Sequence, residues 1–90
     1  MKNNDVVKIL YEIADILEIQ GVEFKPRAYR KAAQNIGSMS QDIEQLDNGG
    51  SLQDIPGVGV AIAKKIHEYL STGKLRYLEQ LRIQTPVKVE

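Results

Sequence analysis

The run Pro56-Gly57-Val58-Gly59, set between two stretches of helical periodicity, constrains this chain more than any other feature. Proline lacks a backbone donor and stops the preceding helix at Ile55. The two glycines permit a tight turn and close approach to the backbone, and Val58 between them can point inward and pin it. A helix then opens with the N–H groups of Gly59, Val60 and Ala61 free, at the positive end of its dipole. That arrangement suits an anion such as a phosphate. It reads no base sequence, because phosphate contacts position a protein without specifying a sequence. The plainer alternative is a helical turn punctuated by glycine.

Helical patterns flank this turn on both sides. Val6, Leu10, Ile13 and Leu17, widened by Val7, Ala14 and Ile16, predict an amphipathic helix over 5–19, capped by Asn3 or Asn4 and stopped by Gly21. A second helix is predicted over 26–36, with Pro26 in its first position. Its apolar stripe is Ala28, Ala32 and Ile36, flanked by Tyr29 and Ala33; Arg27, Arg30, Lys31 and Gln34 share another face. Gly37 and Ser38 end it. Ser40 is expected to cap a short helix through about Leu46, 47–50 reads as a turn, and Ser51 with Asp54 has capping-box spacing. Periodicity resumes over 60–71, breaks at Gly73 and ends in a short helix carrying Leu75, Leu78 and Leu81. The expected fold is all-α, a small bundle of four to five short helices. Residues 1–86 form one domain, and 87–90 read as an extended tail or a truncated linker to further domains.

Ninety residues hold one core. The absence of cysteine excludes a disulfide scaffold, a thiolate metal site and a cysteine nucleophile. A lone histidine, His67, cannot build a histidine metal cluster and reads as a helix-surface residue, so no metal site is expected. No apolar run approaches a membrane span and no secretory pattern is present, which points to a cytoplasmic protein without membrane contact. Twelve basic and twelve acidic side chains cancel overall but not locally. Lys2 and Lys8 face five carboxylates over 1–23. Four cations and no acid follow over 24–41, then four acids and no base over 42–54, then four cations against Glu68 over 55–78. Charge alone favours scattered, solvated side chains; two basic blocks that met in the fold would make a positive face on a neutral protein.

The hairpin over 52–66 resembles the helix-hairpin-helix motif, a binder of DNA backbone. The likeness extends further. Leu10-Tyr11-Glu12-Ile13-Ala14, then Phe24, then Arg27-Ala28-Tyr29-Arg30-Lys31-Ala32-Ala33, then the hairpin and Thr72-Gly73-Lys74-Leu75 resemble the N-terminal domain of family X DNA polymerases. The resemblance covers roughly 6–86. It implies sequence-independent binding of gapped or nicked DNA through backbone and 5′-phosphate contacts, by a monomeric domain of a repair polymerase, nucleoid-associated in a prokaryote. Some relatives also remove a 5′-deoxyribose phosphate by lyase chemistry, while polymerase activity belongs to later domains.

By that resemblance Lys65 matches the Schiff-base lysine, and Lys25 and Tyr29 match phosphate ligands. Arg30 and Lys31 on the same helix, and Gly57, Gly59, Val60 and Lys64 at the hairpin, complete the candidate DNA-binding set. Helix geometry puts Lys65 at the border of the apolar stripe and Lys64 nearly opposite. A border lysine beside other cations loses its proton more readily; equally, its stem can cover apolar surface while its head stays in water. Arg27 and Arg30 read equally as solvated surface. Ala61 and Tyr77 stand where the lyase-competent vertebrate enzyme has basic residues, which weakens a 5′-phosphate pocket. No cofactor is required, and a monovalent cation at the hairpin carbonyls stays open. Two other readings remain, a binding module without chemistry and a protein-interaction bundle whose hairpin is only structural.

Overall fold

The computed structural model describes residues 1–86; the tail expected over 87–90 lies outside the described residues. The order is α1 (Asn3–Ile19), α2 (Lys25–Ser38), α3 (Ile43–Asn48), a 3-10 turn (Leu52–Asp54), α4 (Val60–Thr72) and α5 (Arg76–Gln84). No strand occurs among the described residues, and the expected all-α bundle is what forms. Among the described residues, no helix is long and apolar enough to cross a membrane.

The core forms where the periodic residues predicted it. Val6, Leu10, Ile13, Ala14 and Leu17 of α1 are buried and pack with Ala32, Ala33 and Ile36 of α2. The two alanines are fully enclosed, and their small side chains let the helix axes approach. Each fully buried leucine or isoleucine contributes about 1.5–3 kcal/mol. The α1 stripe therefore outweighs the ion pairs on that helix's exposed side, which are worth roughly 0–1 kcal/mol each. Leu78 and Leu81 of α5, with Leu75 just ahead of it, close the core. That closure is fastened at the rim by Arg82, whose guanidinium grips both oxygens of Glu12 at 2.6 and 2.7 Å.

The helix ends differ from the expected ones, and each difference has a cause. Asn3 does not cap α1; it lies inside the first turn, buried. Its Nδ2 donates to the Gln41 carbonyl at 2.8 Å, and its Oδ1 accepts from the Ile43 N–H at 3.0 Å. The side chain is thus spent on pinning the start of α3 to α1. Asp42, not Ser40, caps α3, with Oδ1 accepting from the Glu44 N–H at 3.0 Å. A carboxylate at that end also favours the helix dipole. Asp47 and Asn48 belong to the last turn of α3 rather than to a loop. Ser51 makes no capping bond, so the short helix expected there shrinks to a single 3-10 turn. In α2, Gly37 and Ser38 stay helical, Pro26 joins the buried side and Ala28 is exposed.

Candidate nucleic-acid interface

The hairpin is anchored from beneath and from one side. Ile55 and Val58 are buried under the turn, and the Val58 N–H donates to the Ile55 carbonyl at 3.0 Å. Gly57 sits at φ +86°. A Cβ there would stand 3.3 Å from Asn35 Nδ2, 3.4 Å from Lys31 Cγ and 3.5 Å from the Ala32 nitrogen. Asn35 Nδ2 donates to the Pro56 carbonyl at 2.6 Å. The close approach that Gly57 permits is therefore made by α2 rather than by a ligand. Gly59 is the opposite case. Its φ is −90°, and nothing lies within 4 Å of where its Cβ would be. No side chain caps α4, and Gly59, Val60 and Ala61 are all exposed. The positive end of the α4 dipole thus opens to solvent, two residues after the Gly57 turn that packs on Lys31.

Helix α4 divides its two adjacent lysines between different surroundings. Lys65 is half-buried, with Nζ 4.6 Å from the centre of the Tyr77 ring. Burial first, and then the charge of Lys25, hold its ammonium below the ordinary lysine range, with Glu68 opposing. Tyr29 is buried close by; burial, and then the neighbouring Tyr77 phenol, push its hydroxyl above the ordinary tyrosine range. Lys25, Tyr29 and Lys65 thus gather at one place, where α2, α4 and α5 meet. Tyr77, whose sequence position marked only a missing cation, belongs to the same cluster. The Arg76 backbone N–H, donating to Glu68 at 2.9 Å, and the Arg76 side chain at 3.4 Å hold the Glu68 carboxyl below the ordinary glutamate range.

Lys64 is exposed and turned away from this cluster. It lines a cleft of about 350 Å³ with Val60, Leu52, Asp47 and His67. His67 is exposed, as expected, but it is not idle. Its Nδ1 meets the Asp47 carboxylate at 2.8 and 3.0 Å, tying α4 to α3. Arg27, Arg30, Lys31 and Gln34 do share one face of α2. Arg30, however, is engaged by α1: its guanidinium reaches Asp15 and Glu18 at 3.0 Å each. Those two hydrogen bonds raise its already high pKa. Among the described residues, Arg30 alone of the expected phosphate ligands is already held by carboxylates.

Sequence reasoning placed Phe24 in the resemblance but gave it no role at the site. Phe24 has φ 68° and ψ −46°, and the Lys25 N–H donates across it to the Glu23 carbonyl at 2.7 Å. This is a γ-turn of the rare, strained hand. Its ring is 83% exposed, immediately before Lys25. The sequence signals were its place in the resemblance and a lone phenylalanine in a polar connection, neither of which reveals the backbone angle. Among the described residues, no group of three or more His, Cys, Asp or Glu side chains gathers where it could hold a metal ion.

A family model described as a helix-hairpin-helix domain matches residues 1–75. The chain is 32% identical over 87 residues to the DNA polymerase/3'-5' exonuclease PolX of Bacillus subtilis (strain 168). It is 29% identical over 86 residues to DNA polymerase lambda of Arabidopsis thaliana, and 29% over 85 residues to that of Rattus norvegicus. These matches take in 96%, 96% and 94% of this chain, but only 15%, 16% and 14% of the relatives' own lengths.

The two hairpin glycines should separate in a denaturant titration. Gly57→Ala is expected to cost about 1–3 kcal/mol, because alanine must adopt a positive φ against α2. Gly59→Ala should stay within roughly 0.5 kcal/mol of the parent. Equal losses at both sites would contradict this division of labour.

Proposed function

Since the chain belongs to the helix-hairpin-helix domain family and its relatives are family X DNA polymerases, we propose that it binds gapped or nicked DNA through the sugar–phosphate backbone and a 5′-phosphate, as one domain of a repair polymerase. The observation that carries this reading is the uncapped start of α4, open at Gly59, in a hairpin whose Gly57 packs against Lys31. The N–H groups there donate to a backbone phosphate, and Lys31 and Lys64 add charge on either side. The cluster of Lys25, Tyr29 and Lys65 receives the 5′-phosphate end. Nucleotide addition belongs to other parts of a longer protein, given the small share of its relatives that this chain spans. A DNA-bound location inside the cell follows from the same reading.

Lys65 is the group suited to lyase chemistry. Its amine attacks C1′ of a ring-opened deoxyribose phosphate, the carbonyl oxygen leaves as water, and the resulting iminium acidifies the C2′ proton. Loss of that proton expels the 3′ phosphate by β-elimination. Burial and Lys25 both favour the free amine that this attack needs. A second reading, binding without chemistry, draws on Ala61 and Tyr77, neither of which supplies a cation to the pocket. Phe24 adds a stacking surface at the same end of α2. An unpaired base at a gap can lie on its ring, a contact worth about 1–3 kcal/mol where bases stack on aromatics.

Fluorescence anisotropy on a one-nucleotide gap tests the binding. With about four phosphates contacted, the log–log salt slope should be near −3 to −4 and independent of base sequence. Gly59→Val, folded, should weaken binding by crowding the phosphate. Replacing the 5′-phosphate by a hydroxyl should cost affinity, and Lys25→Ala should erase most of that difference. A flat salt response, or a folded Gly59→Val that binds like the parent, would leave the protein-interaction bundle as the better reading. Borohydride reduction in the presence of a 5′-deoxyribose phosphate end should trap the protein covalently, and Lys65→Ala should abolish trapping while sparing most binding. If Lys65→Ala traps as well as the parent, another amine reacts.

Phe24→Gly should move stability and binding in opposite directions. Relief of the γ-turn strain is expected to stabilise the fold by about 1 kcal/mol, while gapped-DNA affinity falls. A variant that is more stable and binds undiminished would remove Phe24 from the interface.

A further inference from the structure

Among the described residues, the surroundings of Lys65 supply no ordinary ion pair. Facing it from α2 is the cation Lys25, with the buried phenol of Tyr29 beside it. On its own helix, the carboxylate acting on it is Glu68, which is held by the Arg76 backbone N–H at 2.9 Å. The apolar wall behind it comes from Val6, Ile9 and Leu10 of α1, with Leu75 just ahead of α5. What lies directly against Nζ is the face of the Tyr77 ring, at 4.6 Å. An aromatic face attracts a cation through its quadrupole, and the attraction grows as water is removed.

Building on the reading of Lys65 as the reacting amine, we propose that Tyr77 is its positioning residue: the ring fixes Nζ against α5 and stabilises positive charge on that nitrogen. The charge in question survives the reaction. Condensation of the ammonium with an aldehyde forms the Nζ–C1′ bond, releases the carbonyl oxygen with two protons as water, and leaves one positive charge on the iminium nitrogen. The ring attracts the ammonium and the iminium alike, whereas a cation at position 77 would repel both. Tyr77 thus takes over by polarisable surface what Lys25 works against by charge. It also leaves the 5′-phosphate with one cation fewer to bind it.

The test reads Lys65 directly in the DNA-free protein, by following its Cε and Hε resonances through an alkaline titration. In the parent, ring current from Tyr77 should shift the Lys65 Hε signals upfield. Tyr77→Leu should remove that shift and lower the titration midpoint by about half a pH unit, a roughly threefold change in the ammonium-to-amine ratio. Tyr77→Phe, which keeps the ring face, should restore both. Absence of the ring-current shift in the parent overturns the proposal whether or not the leucine variant folds. So does a leucine variant that titrates like the parent, or a phenylalanine variant that moves as far as leucine. Borohydride trapping across the same pH range gives the second readout, and its midpoint should follow the Lys65 titration in all three proteins. No trapping in any of them would defeat the lyase reading, while the titration still decides the role of Tyr77.

Discussion

The backbone at Gly57 lies so near α2 that one added methyl group would stand 3.3 Å from Asn35, and the bond from Asn35 to the Pro56 carbonyl draws the two together at 2.6 Å. The geometry of the site descends from this contact. It brings the hairpin beside Lys31, joining basic residues that are separated along the chain. It also fixes the start of α4, so that one turn further on Lys65 faces Lys25 and Tyr77 while Lys64 faces the cleft beside His67. A bulkier residue at 57 would lift the turn from α2 and misplace all of them.

Five of the acidic residues are committed to local partners. Asp15 and Glu18 hold Arg30, Glu12 holds Arg82, Glu68 is drawn to Arg76, and Asp47 is paired with His67. Such exposed pairs add little to stability. Their larger effect is on the field, since each commits a carboxylate to a local partner while Lys31 and Lys64 remain exposed beside the hairpin. A protein of zero net charge can therefore still present a positive end to an anionic polymer.

The features legible in the sequence were those governed by local pattern. The stripes of α1, α4 and α5 follow from apolar spacing, the buried Val58 from its place between two glycines, and the border position of Lys65 from the angle per residue. The gathering of Lys25, Tyr29 and Lys65 followed from resemblance, and the packing of α2, α4 and α5 accounts for it physically. The rest depended on contacts distant in sequence. Asn3 was a plausible cap until Gln41 and Ile43, some forty residues away, claimed its side chain. Arg30 had the spacing of a phosphate ligand, and only the folded position of α1 commits it elsewhere. Tyr77 reads as a missing cation in one dimension and as an aromatic partner in three. The backbone of Phe24 is set by how α2 must enter the bundle, which no side-chain pattern records.

Glu12 in the first helix is gripped by Arg82 in the last, and Gln20 reaches Thr85 at 2.8 Å. During synthesis the amino-terminal helix therefore leaves the ribosome long before the segment that covers it. Until Leu75, Leu78 and Leu81 emerge, the apolar stripe of α1, already covered by α2 and α4, still lacks the side that these leucines close. The core is thus closed only when α5 follows the four helices before it. Nascent chains arrested short of α5 would be the ones that proteases cut and chaperones hold, and one cluster of leucines near the end of the domain would mark their release.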